Sequence, residues 1–216
     1  MPSFGLTHVY FLLNGALWTL VLSALGMLGG GLIGFALALA RISPNSVVRF
    51  LAATYIQLVQ GTPLLVLLFI IYFGLSIVGI DTYSVVAAGL GITIYASAFL
   101  AEIWRGSIQS IDKTQWEAAE TLGLSRWQRM RLVILPQAIR VATPSTVGFL
   151  VQIVKNTSLA SVIGFVELSQ AGKLVNNSTF QPFVVFIVVA IIYFVICYPL
   201  SWASRKLEDR LNVAHR

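Results

Sequence analysis

Of the 216 residues, 57% are hydrophobic and only 10% charged, and the mean hydropathy is +0.86. A water-soluble domain carries about 25% charged residues, so this chain has too few to cover a water-facing surface, and its solvent is mostly lipid. The net charge of +6 does not signal nucleic acid, because the basic residues lie between long apolar runs, where positive charge marks the cytoplasmic side of a membrane.

The expected fold class is therefore an all-α integral membrane protein, one transmembrane domain over residues 1–216 with five transmembrane helices. A span needs about 20 mostly apolar residues. The first, 9–40, holds no charged residue and is too long for the core of a signal peptide, so it reads as a retained helix. Its Gly30 and Gly34 have the small-xxx-small spacing that lets two helices approach closely. The second, 50–80, is interrupted by Gln60-Gly61-Thr62-Pro63, where a proline without an N–H and a flexible glycine predict a break. The third, 83–105, ends in Glu102 and Arg105, and the polar loop 106–136 follows.

In that loop, Thr114 and Glu117 have capping-box spacing and predict a short helix, with Gly123 placed to end it. Ser125 and Gln128 form a second such box and open another helix toward Leu135-Pro136. Trp116, Leu122 and Trp127 offer apolar anchors, and Ala118 and Ala119 a smooth face for close packing. The residues alone leave docking of a partner and capping of the chain's own bundle equally open. The fourth span, 137–166, carries Pro144 and is interrupted by Lys155-Asn156-Thr157-Ser158. A broken helix at membrane depth is tolerated only where it is buried in protein or lines a wet cavity. The fifth span, 183–204, includes the lone cysteine, Cys197, which reads as a packing residue, and a polar tail follows it from Arg205 to Arg216.

Charge sets the orientation. Arg41, Arg49, Lys113, Arg126, Arg129, Arg131, Arg140, Arg205, Lys206, Arg210 and Arg216 fall near one set of helix ends, and only Lys173 falls clearly near the other. The positive-inside rule then places the N-terminus outside and the C-terminus in the cytoplasm.

Glu117-Ala118-Ala119, Gly123 four positions on, then Leu135-Pro136 resemble the EAA loop of ATP-binding-cassette importer permeases, with Val133 where that pattern has isoleucine. Gln60-Gly61-Thr62-Pro63, Ala101-Glu102-Ile103-Trp104-Arg105-Gly106 and Lys155-Asn156-Thr157-Ser158-Leu159 are similar to the polar amino acid permeases of the histidine/glutamine type. The resemblance implies a bacterial inner-membrane permease whose coupling helix, about 114–122, contacts a separate ATPase dimer through Thr114, Trp116, Glu117, Ala118, Ala119, Leu122 and Gly123. It further implies a second permease copy or paralogue, an extracytoplasmic amino-acid-binding protein, and a polar amino acid as cargo. No phosphate-binding Gly-x4-Gly-Lys-Ser/Thr loop is present, since Gly172-Lys173 continues to Leu174. ATP with Mg is accordingly expected on the partner, and neither a cofactor nor a catalytic or metal-binding residue on this chain.

Charged residues inside a span are candidates for function because each is costly to insert. Glu102 and Arg105, three residues apart on one helix face, either clamp each other or receive the ammonium and carboxylate of an amino acid. Asn156, Thr157 and Ser158 are expected to line the substrate pocket or to satisfy freed backbone groups. Lys155 is a pocket residue or reaches an interface, and Glu167 is a surface charge near the binding-protein dock, a selector of the cargo side chain or an outer gate. Gln60 and Thr62 line the pathway or support the kink; His8 and His215 read as solvent residues. An ion-gradient-driven secondary transporter is the alternative function, and it predicts uptake independent of ATP.

Overall fold

The computed structural model describes residues 4–214; His215 and Arg216 lie outside the described residues. Every regular element described is helical. In chain order these are α1 (Leu6–Arg41), α2 (Ser46–Gln60), α3 (Leu64–Ile77), α4 (Ser84–Gln109) and α5 (Lys113–Thr121). The single turn α6 (Arg126–Gln128) passes through a π-helical turn, Arg129–Ile134, into α7 (Leu135–Asn156), which tightens into a 3-10 segment, Thr157–Ile163. α8 (Leu168–Thr179) and α9 (Pro182–Ala214) complete the fold.

Among the described residues, four helical stretches are long and apolar enough to cross a membrane, and the pair α2 and α3, bent by 98°, makes a further candidate if counted as one. The bend follows from its sequence. Gly61 closes α2 with its N–H donated to the Gln57 carbonyl at 2.9 Å, and Pro63 then opens α3. A proline there would break an α-helical ladder but suits a helix start.

The core is built around the pairing of α1 with α4. A Cβ on Gly30 would stand 3.0 Å from the Ser97 nitrogen, and one on Gly34 would stand 2.8 Å from the Ser97 carbonyl oxygen. Both glycines therefore let backbone meet backbone. Gly26 faces Ile92, Gly30 faces Ala96 and Gly34 faces Leu100, so the two helices run parallel. The α2–α3 pair consequently carries the chain from the Arg41 end of the bundle back to the other.

α7 runs antiparallel to α4: Trp104 donates to Thr146 at 3.0 Å, and Phe149 stacks on Phe99 and Tyr95 nearer the start of α4. α9 returns antiparallel to α7, with Cys197 packed among Val151 and Val154, and Ser204 donating to the Pro144 carbonyl at 2.8 Å. Leu28, Leu32, Phe194 and Val195 face outward, as expected where the surrounding solvent is hydrocarbon.

One expectation is corrected here. The break at Lys155–Ser158 is a change of pitch: the α-helix becomes a 3-10 helix, with the Thr157 hydroxyl donating to the Val154 carbonyl and Ser158 to that of Lys155. The helix ends only at Gly164, in a left-handed conformation at φ +81°. α9 carries the polar tail within it as far as Ala214, with the Lys206 ammonium 4.5 Å over the Trp202 ring.

Candidate functional site

At the Arg41 end of the bundle, the polar loop folds into a compact helical cap. α5 is not started by a Thr114–Glu117 box, as the spacing suggested. Asp112, one residue before the helix, accepts from the Thr114 N–H at 2.9 Å and the Thr114 hydroxyl at 3.0 Å. Those two donors, the backbone one foremost, hold the Asp112 carboxyl below the ordinary carboxylate range. An aspartate in that position satisfies an orphan N–H directly, so it captures the start ahead of Thr114.

The far end is closed by Gly123 at φ +73°, whose N–H donates to Glu120 at 2.9 Å while Leu124 donates to Ala119 at 3.2 Å. This is a Schellman closure, which places its left-handed residue where glycine fits best. The Ser125–Gln128 box is formed, with bonds of 3.4 and 2.8 Å. Arg129 then pairs with Glu120 at 2.7 Å and fastens α5 to the π-helical turn.

Packing sorts the faces of α5. Ala119 is buried, and Trp116 lies inward against a small core of Ile108, Ile134 and Ala138. Trp116, expected as an anchor, and Ala119, expected on the smooth face, therefore both turn inward. Thr114, Ala118, Thr121 and Leu122 lie on the opposite side, with Leu122 78% exposed, and Trp127 projects from α6 at 66%. The spacing of 114, 118, 121 and 122 places them on one helical face, and it is this small, partly apolar strip that is free to meet another protein.

Within the bundle, the Arg105 guanidinium grips Glu102 with its Nε at 3.0 Å from both carboxylate oxygens and bonds Gln109 as well. Arg41, sixty-one positions away on α1, reaches the same Glu102 oxygen at 3.3 Å. Sequence spacing exposes the first pair but not Arg41, which only the parallel α1–α4 packing delivers. The arrangement links α1 to α4, and the guanidinium of Arg105 is engaged by Glu102 and Gln109.

Asn156 stands beside the Tyr95 hydroxyl, and the Tyr95 ring packs with those of Phe99 and Phe149. Thr157 is buried and Ser158 half-buried, while Lys155 is exposed. Since Trp104 is level with Thr146, Asn156 lies ten residues further along α7, about 15 Å at the usual helical rise. The Glu102–Arg105 pair and the Lys155–Ser158 segment are thus two separate sites. Tyr95 escaped the sequence reading because an aromatic within an apolar run gives no polar signal.

Gln60 donates to the Ala98 carbonyl at 3.4 Å and Thr62 to that of Leu58 at 2.8 Å, so both support the bend. Glu167 is the clearest correction. It is not a surface charge: its exposure is 0%, and it caps α8 by accepting from the Ser169 and Gln170 N–H groups at 2.9 and 2.8 Å. The Tyr193 hydroxyl from α9 donates to it at 2.8 Å, and Thr19 from α1 lies 3.5 Å away. Burial pushes its carboxyl up from the ordinary range, against the opposing pull of those four donors.

Comparison with known proteins follows the same lines. Residues 30–213 match the family described as binding-protein-dependent transport system inner membrane component. The probable amino-acid ABC transporter permease protein YckA of Bacillus subtilis (strain 168) is 42% identical over 200 residues, covering 93% of this chain and 88% of that one. The glutamine transport system permease protein GlnP of Escherichia coli (strain K12) is 37% identical, with coverage of 94% and 93%. Among solved structures, an amino acid ABC transporter crystallised with histidines superposes with a TM-score of 0.89 at 34% identity, over 97% of this chain and 100% of that one. The MetNI methionine ABC transporter in an inward-facing conformation shares the fold, with a TM-score of 0.79 at 21% identity, over 95% and 99%.

Proposed function

The chain belongs to the family of binding-protein-dependent transport system inner membrane components, and from that premise we propose that it forms the membrane pathway of an ATP-driven importer for a polar amino acid. Family members are pore-forming permease subunits of importers, with ATP hydrolysis carried by a separate subunit. An ion-gradient mechanism finds no support among the relatives. The amino acid cargo is supported by relatives named for amino-acid and glutamine transport.

The observation that carries the reading is α5, a capped helix packed against the bundle, whose outward face of Thr114, Ala118, Thr121 and Leu122 has no partner within the described chain. We assign it as the coupling helix for an ATPase dimer carrying ATP and Mg, with Glu117 and Gly123 shaping the face. The α2–α3 pair is one crossing in this account, making five, because α1 and α4 run parallel. The basic end bearing Arg41, Lys113 and Arg126 is cytoplasmic, and the N-terminus lies outside.

Two permease copies or paralogues enclose the path, and a binding protein delivers cargo at the Glu167 end. Asn156, Thr157 and Ser158, with Tyr95 and Lys155 beside them, are the proposed contacts for the amino acid. Closure of the ATPases would move α5, and the packing of Trp116 against Ile108, Ile134 and Ala138, with the Arg129–Glu120 pair beside it, would pass that movement to α7. Co-purification from membranes tests the coupling step: wild type retains the ATPase, and Gly123→Asp loses or weakens it. Recovery of no ATPase with well-folded wild type, from membranes that express it, would remove the basis for the assignment.

A further inference from the structure

A cleft of about 800 Å³ lies on the bundle side of α5, between the end of α1, the start of α2 and the end of α4. Arg41, Arg49, Lys113 and Arg126 line it, and no carboxylate is among its described lining residues. Arg41 pairs with Glu102, a carboxylate it shares with Arg105, whereas Arg49, Lys113 and Arg126 form no ion pair among the described residues. Arg49 bonds the Ser43 carbonyl at 3.0 Å, which holds its guanidinium at the turn between α1 and α2. Three unpaired like charges around one cleft repel each other and raise the local potential, so the site favours an anion.

The surroundings say which anion. Arg49 is flanked along α2 by exposed Val47, Val48, Phe50 and Leu51. A cation inside an exposed apolar run belongs at the level of lipid headgroups, where its stem lies in hydrocarbon and its charge meets phosphate. Trp116 and Trp127 sit on the same cleft, as indole rings do at a membrane interface. Ile108, Ile111 and Met130 give it an apolar floor suited to acyl chain rather than to a hydrated anion.

From these juxtapositions we infer that the cleft binds the headgroup of an anionic phospholipid from the leaflet at the Arg41 end, placing a lipid directly behind α5. Naming that leaflet cytoplasmic rests on the orientation proposed above; the binding itself does not. Trp116 and Lys113 belong to α5 and Arg126 to α6, so the lipid touches both the coupling helix and the bundle. An occupied cleft fixes α5 against α1 and α2, and the lipid composition of that leaflet thereby sets how firmly the helix is held.

The test uses the full chain, alone and with its ATPase, in nanodiscs of equal phosphatidylglycerol and phosphatidylcholine, with retained lipid counted by native mass spectrometry. Wild type keeps phosphatidylglycerol in preference to phosphatidylcholine, and added inorganic phosphate does not displace it. A basic residue near a charged surface contributes about fivefold in binding, so Arg49→Gln/Lys113→Gln/Arg126→Gln weakens retention on the order of a hundredfold. Arg49→Lys/Arg126→Lys, which keeps the charge, retains the preference. If the triple variant does not fold, Arg126→Gln alone shows about a fivefold loss. Equal retention of both lipids by wild type, unchanged retention in a folded triple variant, or displacement by inorganic phosphate overturns the inference. Loss of lipid on adding ATPase, together with failure of the triple variant to bind that ATPase, also overturns it and makes the cleft a protein contact. A wild-type chain that holds the lipid but recruits no ATPase leaves the lipid site standing and defeats the coupling assignment instead.

Discussion

Replacing Glu102 by glutamine decides whether the charged cluster clamps helices or holds cargo. The carboxylate sits at 26% exposure, and Arg105 and Arg41 each at 23%, between a fully buried pair and a surface one. Glutamine keeps one acceptor oxygen but removes the charge that draws both guanidinium groups. Hydrogen bonds to charged groups contribute about 1.5–3 kcal/mol, against about 1 for neutral ones. The expected loss for Glu102→Gln is therefore about 2 kcal/mol, roughly a thirtyfold change in the folded-to-unfolded ratio. Arg105→Gln costs less, about 1 kcal/mol, because Arg41 still serves the carboxylate.

Since the two residues share one contact, the double variant loses less than the sum, with a coupling of about 1 kcal/mol. Thermal unfolding in detergent reads the stability, and uptake by reconstituted vesicles, corrected for folded protein, reads KM. The clamp predicts coupled stabilities and an unchanged KM. Additive stabilities within about 0.3 kcal/mol, together with a KM raised in both single variants, would refute the clamp and return Arg105 to the substrate.

Gly123→Ala forces an L-residue to φ +73°, which costs about 1–2 kcal/mol locally, and ATPase affinity measured by pull-down falls without a matching fall in membrane insertion. Gly34→Leu drives a side chain into the Ser97 carbonyl, and α1 separates from α4 at a cost of about 1–3 kcal/mol, read as lowered thermal stability. Tyr193→Phe removes a donor to buried Glu167 and destabilises by about 1–3 kcal/mol in the same assay. The folded Glu167 carboxyl lies above its unfolded value, so its contribution is fully present below about pH 4 and is lost as pH rises through the folded value. Glu167→Gln consequently flattens that decline in a pH series of thermal unfolding.

What was legible in the sequence was local. The long apolar runs, the interruption at Gln60–Pro63, the Ser125–Gln128 box and the closing role of Gly123 all rest on residues a few positions apart, where composition and backbone chemistry act directly. Glu167 misled because its burial comes from Thr19 and Tyr193 on two other helices, and nothing beside it in sequence announces them. Arg41 was set down as an end-of-helix charge, since its partner is delivered by the glycine-lined approach of α1 to α4. The EAA stretch located the loop, yet which of its residues face outward depended on packing: Ala118 and Leu122 point away while Trp116 and Ala119 turn in. The polar run Lys155–Ser158 was visible, but its hydroxyls bond their own backbone and preserve the helix, an outcome composition alone did not separate from unwinding.

ATP-driven import is tested by uptake of a radiolabelled amino acid into proteoliposomes holding this permease, its partner ATPase and the binding protein. Glutamine and histidine are the first substrates to use, with ATP supplied at the ATPase face. Accumulation is expected to require ATP hydrolysis, to persist when the ion gradient is collapsed, and to be abolished by Leu122→Arg on the outward face of α5 while the protein remains folded. Accumulation that continues without ATP and disappears when the ion gradient is collapsed would contradict it.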